Sequence, residues 1–392
     1  MKIPSNCEAI VIGAGPAGSM AAAALASRGH EVLLLEKHRE VGIPLCCAEA
    51  ISLRSLRLFM EPDPAWIAAA INGAWLISPD GTVVDVDWPE VGVVLERKLF
   101  DRHLAQRAAR AGAWVLVNAE AVGLAMEGRE AKAVEIEHGG DRILCRTRLV
   151  IAADGVESLV GSWAGLDTRL APENLHSCAQ YLLSDINLPR DRVGFWVGRR
   201  LAPGGYVWAF PKGGGRANVG LGMVGTASAE RRPVEYLDEF VGKNFPHAKI
   251  IETMVGGTPA IGKDHPMCQG NVMLVGDAAR LTDPLSGAGI AVAMASGDLA
   301  GRLGADYLKS GRQDIIRRYP DLWWAGPWKD LKFHHLVREV FLKLNDQEMD
   351  RIAKLLVKIL QGRDPAKLNP IEVARTVIAS DPGILMLAKH LL

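Results

Sequence analysis

Three groups of residues in this chain have types and spacings suited to chemistry. Gly13-x-Gly15-x-x-Gly18 follows the apolar run Ile10-Val11-Ile12, and Glu36 ends the next apolar run, Val32 to Leu35. In that setting Gly13 permits a tight turn, Gly15 lets a pyrophosphate approach the backbone, and Gly18 lets a helix pack closely on a sheet. The N–H groups at the start of that helix attract phosphate, and Glu36 accepts hydrogen bonds from an adenosine ribose. Gly276-Asp277, followed by Pro284, Gly287, Gly289 and Ile290, makes a second helix start with a carboxylate beside it. That combination suits the ribityl chain and pyrimidine edge of a flavin.

The third group joins thiols and aromatics. Cys46 and Cys47 are adjacent in a small-residue loop, where Ala48 and Ala50 leave room for backbone to run close to a flat ligand. Buried thiols are commonly inert packing groups, and that reading stands beside a chemical role for either cysteine. Tyr206, Trp208 and Phe210 alternate along one expected strand and therefore share one face. Such a face serves either as core or as a broad apolar wall for a long, chain-like substrate.

These residues need elements to position them. A chain of 392 residues that is 49% hydrophobic has enough material for a substantial core in two or three structural units. Its formal net charge of zero argues against a nucleic-acid partner. The six cysteines show no CxxC or Cys/His spacing, so no metal site is expected and a reduced, cytoplasmic setting is. The first strand begins too early to leave room for a signal peptide, and no apolar run is long enough to span a bilayer. The protein is therefore read as soluble, with peripheral membrane contact as the furthest departure. The expected fold is α/β. A discontinuous Rossmann-type domain takes 1–72, 95–165 and 260–310; an antiparallel-sheet domain takes 73–94 and 166–259; a helical C-terminal region takes 311–392. Within them, Asp80-Gly81 is expected to turn a hairpin and 114–125 to form one strand. Helices are expected over 331–344, 346–361 and 370–391. Trp323, Trp324 and Trp328 are read as helix packing or as an amphipathic surface that touches lipid.

Taken in this order, the motifs resemble the FAD-dependent geranylgeranyl reductase family, which shares its fold with aromatic hydroxylases of the para-hydroxybenzoate hydroxylase type. Two marks join those above: the Ala153-Asp154-Gly155 turn with Ser158, and Tyr206-x-Trp208-x-Phe210-Pro211 followed by Asn218-Val219-Gly220-Leu221-Gly222. A third is the loop Gly42-x-Pro44-x-x-Cys47-x-Glu49-x-x-Ser52. The family's cysteine motif usually reads Cys-Gly-Glu-Gly; here Ala48 and Ala50 replace both glycines. The resemblance implies FAD, with Glu36 on the adenosine ribose, Arg97 near the cofactor and the Val122 backbone by the adenine. It places Asp277 on the ribityl and pyrophosphate region and Gly289 and Ile290 by the isoalloxazine. Ala17, Lys37, Ala48, Ala50, Asp154, Gly276, Pro284 and Gly287 complete the implied lining.

The implied reaction saturates C=C bonds in the geranylgeranyl chains of a prenylated lipid or prenyl diphosphate. Electrons would come from NAD(P)H, a ferredoxin or another carrier. An isolated alkene is not polarised, so hydride addition needs an acid to deliver a proton to the other carbon. An ordinary thiol, with a pKa of about 8.5, is protonated at neutral pH, and Cys47 is expected as that donor or as part of its relay. The faces of Trp208 and Tyr206 would stabilise the cationic carbon. The competing readings are a flavin-dependent monooxygenase and a quinone- or lipid-binding flavoprotein that relays electrons.

Overall fold

The computed structural model describes residues 3–261, 265–368 and 370–380. The first part of the chain forms β1 (Asn6–Ile12), α1 (Pro16–Ala26), β2 (Val32–Leu35), β3 (Ala50–Ser52), α2 (Leu53–Leu56), β4 (Ile67–Ile77) and β5 (Val83–Leu95). Then come α3 (Arg97–Arg110), β6 (Trp114–Leu116), β7 (Ala119–Glu127), β8 (Glu130–His138), β9 (Asp141–Ala152) and α4 (Leu159–Trp163). The middle contributes β10 (Leu175–Ser184), β11 (Arg192–Val197), β12 (Tyr206–Gly213), β13 (Arg216–Val224), α5 (Pro233–Asn244) and β14 (Lys249–Pro259). After β15 (Cys268–Gln269) and β16 (Val272–Leu274) the chain is helical. These helices are α6 (Ile290–Ser310), α7 (Gln313–Arg317), α8 (Tyr319–Ala325), α9 (Leu331–Phe341), α10 (Asp346–Leu360) and α11 (Pro370–Ser380).

Two compact units result, each assembled from three stretches of chain. The first takes 1–45, 97–170 and 259–333. Its sheet runs β15-β16-β9-β1-β2-β6, parallel from β16 to β6, with β7 and β8 continuing antiparallel from β9. A parallel sheet is covered on both faces, which is why β1 and β2 read as almost unbroken apolar runs and are buried along most of their length. Helix α1 is alanine-rich because it packs against α6 at backbone distance. A Cβ added to Gly297 of α6 would stand 2.0 Å from the Ala17 carbonyl oxygen. The expected single strand over 114–125 is two strands. Asn118 takes a left-handed φ of 54°, which Asn tolerates better than most residues, and the chain passes from a parallel pairing with β2 to an antiparallel one with β8.

The second unit takes 46–96, 171–258 and 334–392. Its sheet runs β14-β10-β13-β12-β11-β4-β5-β3. One pair inside it, β11 with β4, is parallel, which departs from the all-antiparallel expectation. Residues 46–72 belong to this unit rather than to the nucleotide unit, because β3 pairs with β5 and β4 runs into the sheet. The hairpin at Asp80-Gly81 forms, with Gly81 at φ 87° and the Asp80 carboxylate accepting from the Thr82 N–H and the Ser78 hydroxyl.

The helical tail does not form a third unit. Residues up to 333 pack with the first sheet: Tyr319 donates its hydroxyl to the Leu274 carbonyl at 3.0 Å, and Trp323 is buried and stacked on Trp328. Trp324 and Trp328 are partly buried against the same core. From 334 onward the helices join the second unit, where Lys354 pairs with Asp80 and Arg199 donates to the Leu344 carbonyl. The last helix is described through Ser380, and the rest of the expected 370–391 span lies outside the described residues.

Candidate active site

The first unit brings together Gly13, Gly15, Ala17, Gly18, Glu36, Lys37, Arg97, Val122, Asp154, Gly276, Asp277, Pro284, Gly287, Gly289 and Ile290. The turn after β1 is sterically closed to any side chain at Gly13. Its φ is 101°, and a Cβ there would lie 2.3 Å from the Ala153 carbonyl oxygen. One at Gly18 would lie 1.9 Å from the Gly13 oxygen, whereas Gly15 faces open space. Glu36 is tied to this turn by the Ala14 N–H at 3.1 Å and to His38 by its N–H at 3.0 Å and its ring Nδ1 at 2.7 Å. His38 was not anticipated. A carboxylate accepts about four hydrogen bonds, so a ribose still finds lone pairs on Glu36.

Opposing parts of the same unit close the cradle. Ser158, left-handed at φ 49°, donates its hydroxyl to the Ala278 carbonyl at 2.9 Å, joining the turn after β9 to the turn after β16. Arg280, left-handed at φ 61° and buried, donates to the carbonyls of Val156, Thr168 and Asp277. Between these ties sit two carboxyls that desolvation pushes upward, Asp154 and Asp277. The Val160 N–H opposes the shift at Asp154, the Thr282 hydroxyl opposes it at Asp277, and Arg280 opposes it at both. Val122 falls at a bulge that the β7–β8 register skips, so its peptide groups stand outside the ladder. Arg97 is held in a two-pronged pair with Asp101, at 2.7 and 2.8 Å. Lys37 is half-exposed and pairs with Glu157 at 3.6 Å.

A dinucleotide fits these residues on three structural grounds. Helix α1 begins at Gly15 and helix α6 at Gly289, and neither start is capped by a side chain. Their first N–H groups are therefore available to phosphate and ring oxygens. Asp154 Oδ1 is buried with no hydrogen-bond partner, an arrangement that costs about 1–3 kcal/mol and that a ligand donor would offset.

The second unit brings together Cys47, Ala48, Ala50, Tyr206, Trp208 and Phe210. The resemblance implies Ala48 and Ala50 in the cofactor lining. Here Ala50 pairs with Val94, and Ala48 packs against the cluster of Trp208, Phe210, Val193 and Ile71. The three aromatics do share one face of β12 and extend into an edge-to-face chain with Phe195, at ring separations of 5.4–6.0 Å. The glycine-spaced strand beside them makes room for the indole. Gly220 is the register partner of Trp208, and a Cβ on it would lie 2.5 Å from the indole Cζ2.

A buried polar network ties this wall to the cysteine loop. Trp208 Nε1 donates to Gln180 Oε1 at 2.7 Å, and Gln180 Nε2 donates to the Cys47 carbonyl at 3.0 Å. Glu49 is 2% exposed and left-handed at φ 75°. Its carboxylate accepts from Lys212 Nζ and from Asn218 Nδ2, both at 2.6 Å. Lys212 also donates to the Leu95 carbonyl and pairs with Glu96 at 3.0 Å. The Glu49 N–H donates to Cys47 Sγ at 3.2 Å. Cys46 is exposed and donates to the Val255 carbonyl at 3.4 Å. Nearby Cys178 is a packing thiol, pushed up to about 11 by burial. Gln180 and Lys212 were missed from sequence, although alternation from Phe210 puts Lys212 on the inward face.

The chain is similar to known proteins along its whole length. Residues 174–258 match the model of the geranylgeranyl reductase catalytic domain, and 11–49 match that of an NAD(P)-binding Rossmann-like domain. It is 42% identical to the digeranylgeranylglycerophospholipid reductase of Methanocella arvoryzae over 97% of this chain and 98% of that one. It is 43% identical to digeranylgeranylglycerophospholipid reductase 2 of Methanococcoides burtonii, over 88% of this chain and 87% of that one. Among solved structures, a geranylgeranyl bacteriochlorophyll reductase-like protein from Thermoplasma acidophilum superposes with a TM-score of 0.92. That match has 31% identity and covers 99% of this chain and 100% of the other. A flavin-dependent brominase shares the fold alone, with a TM-score of 0.71 at 16% identity over 96% of this chain and 98% of that one.

Proposed function

This chain belongs to the geranylgeranyl reductase family, and from that premise we propose that it is an FAD-dependent oxidoreductase that saturates C=C bonds in geranylgeranyl chains of a glycerophospholipid. The observation that carries the reading is the 42% identity, over 97% of the chain, to a protein named for that reaction. FAD, when bound and reduced, supplies a hydride.

The chain's own residues supply the rest. Glu36, the uncapped starts of α1 and α6, and Asp277 bind the dinucleotide. The wall of Tyr206, Trp208, Phe210 and Phe195 lies against a prenyl chain, whose methyl-bearing carbons offer dispersion contact and nothing to hydrogen-bond. Cys47 delivers the proton, and the ring faces of Trp208 and Tyr206 stabilise the tertiary cationic carbon that proton transfer creates. An external carrier, NAD(P)H or a small electron-transfer protein, restores the reduced flavin. No helix among the described residues is long and apolar enough to cross a membrane, so the reading has the lipid reached from the bilayer surface.

The test is mass spectrometry of lipids after anaerobic incubation of the dithionite-reduced holoenzyme with digeranylgeranyl phospholipid and with geranylgeranyl diphosphate. Products heavier by two hydrogens per saturated bond are expected, with the phospholipid preferred. No mass shift, together with clean flavin reduction and rapid reoxidation by oxygen, would sink the reductase reading. A Cys47→Ser enzyme that keeps its FAD and its full turnover would remove the thiol from the reaction.

A further inference from the structure

A proton donor must carry the charge it is left with, and the second unit holds a group placed for that purpose. We propose that the Glu49 main-chain N–H receives the negative charge left on Cys47 sulfur, and that Lys212 is the positioning residue that keeps this N–H in place. The inference rests on Cys47 as the donor and extends that reading to residues not assigned above.

The chemistry balances as follows. The Cys47 S–H bond breaks, its proton forms a C–H bond at one alkene carbon, and the electron pair stays on sulfur as a thiolate. The other alkene carbon takes the hydride, and water returns a proton to sulfur between turnovers. A thiol accepts a hydrogen bond weakly and a thiolate strongly. A bond from the Glu49 N–H, already 3.2 Å from Sγ, therefore strengthens as the proton leaves. Such a bond favours the product of proton transfer over its reactant.

The N–H is useful only if its peptide cannot turn away, and the structure fixes that peptide at several points. The Ala48 carbonyl, on the same peptide plane, accepts from Asn218 Nδ2 at 3.3 Å. The Glu49 carbonyl accepts from the Leu95 N–H at 2.9 Å. The Glu49 carboxylate is gripped by Lys212 and Asn218. These ties hold a non-glycine residue in a left-handed conformation that costs about 1–2 kcal/mol. Lys212 anchors the whole arrangement, since its ammonium bridges the Glu49 carboxylate, the Leu95 carbonyl and Glu96 from a position 2% exposed. Lys212 reaches the cysteine loop through the Glu49 carboxylate, which it holds at 2.6 Å.

The experiment follows the rate of Cys47 alkylation by iodoacetamide against pH, in FAD-loaded protein carrying Cys46→Ser to silence the exposed neighbour. Lys212→Met is expected to shift the titration upward by about one unit, so that alkylation at neutral pH slows about tenfold. Turnover with phospholipid falls in parallel through kcat, with KM and FAD content close to the parent. Lys212→Arg, which keeps the charge, restores part of both. Should Lys212→Met fail to fold, the Glu49→Gln/Lys212→Met pair removes both buried charges and is expected to slow alkylation equally. A well-folded variant with an unchanged alkylation profile overturns the proposal. Full turnover by Cys47→Ser defeats instead the donor reading on which it rests, and the two failures are read from different proteins.

Discussion

Substituting Gly297 by Ala tests the contact on which the cofactor cradle stands. The added Cβ would lie 2.0 Å from the Ala17 carbonyl oxygen and 2.8 Å from its carbon, where real Cβ atoms keep beyond 3.0 Å. The obstacle is backbone, with no side chain to swing aside, so α6 must retreat from α1 by ~1 Å. Alanine in place of glycine inside a helix gains ~1 kcal/mol of propensity, against an overpacking cost of ~1–3 kcal/mol. The backbone contact puts this site at the upper end, for a net loss of ~2 kcal/mol. Ala17 lies in the first turn of α1, so its displacement also moves the N–H groups offered to phosphate. FAD is expected to bind about tenfold more weakly, equivalent to ~1.4 kcal/mol. The control is Gly242→Ala on α5, where a Cβ meets nothing within 4 Å, and where a gain of ~0.5–1 kcal/mol is expected. Circular-dichroism melting and flavin-fluorescence titration read both effects. If Gly297→Ala melts at or above the parent and binds FAD equally well, the two helices are not in backbone contact and the reasoning fails.

Three further outcomes follow from the second unit. Gln180→Leu leaves the buried Trp208 indole N–H without its acceptor, so a loss of ~1–3 kcal/mol on melting is expected, with slower turnover at unchanged FAD content. Gly220→Ala drives a Cβ to 2.5 Å from the Trp208 ring, and is expected to shift tryptophan emission and lower kcat for the phospholipid while FAD affinity holds. His176 is pushed down to about 4 by burial, with the Arg338 guanidinium adding to the shift. Between about 6.5 and about 4 the unfolded chain thus binds a proton that the fold refuses. Stability falls as pH drops through that window, by up to ~3 kcal/mol, and melts of His176→Asn at stepped pH are expected to show a flatter slope.

What could be read from the sequence was local. The β1–α1–β2 segment declares itself because turn, helix start and acid lie within 24 residues of each other, from Gly13 to Glu36, and each has a steric or electrostatic reason. The aromatic face of β12 was legible because a strand alternates with period two. Lys212 and Gln180 were not, because their partners Glu49 and Cys47 stand 163 and 133 positions away and no spacing rule connects them. The inward lysine two residues beyond Phe210 was the available signal: a charge on a core-facing position must meet a partner. Residues 46–72 were placed with the wrong sheet for a related reason. They carry no composition break at 46, and only the pairing of β3 with β5 reveals their allegiance. The two bulky tryptophans at 323 and 328 were ambiguous until Tyr319 and α8 showed which core they fill.

The division of each unit into three stretches dictates when, during synthesis, a cofactor can first be held. The glycine turn at Gly13 leaves the ribosome early, yet β16, which completes the parallel run, and α6, which braces α1, come some 260 to 300 residues later. Until then α1 has α3 but not α6 to pack against, and only one of the two helix starts exists. A nascent chain halted before Gly289 is therefore expected to emerge flavin-free. FAD thus becomes a late ligand that selects finished chains: binding to the native form alone, it stabilises molecules that have drawn all three stretches together and leaves truncated ones to proteolysis.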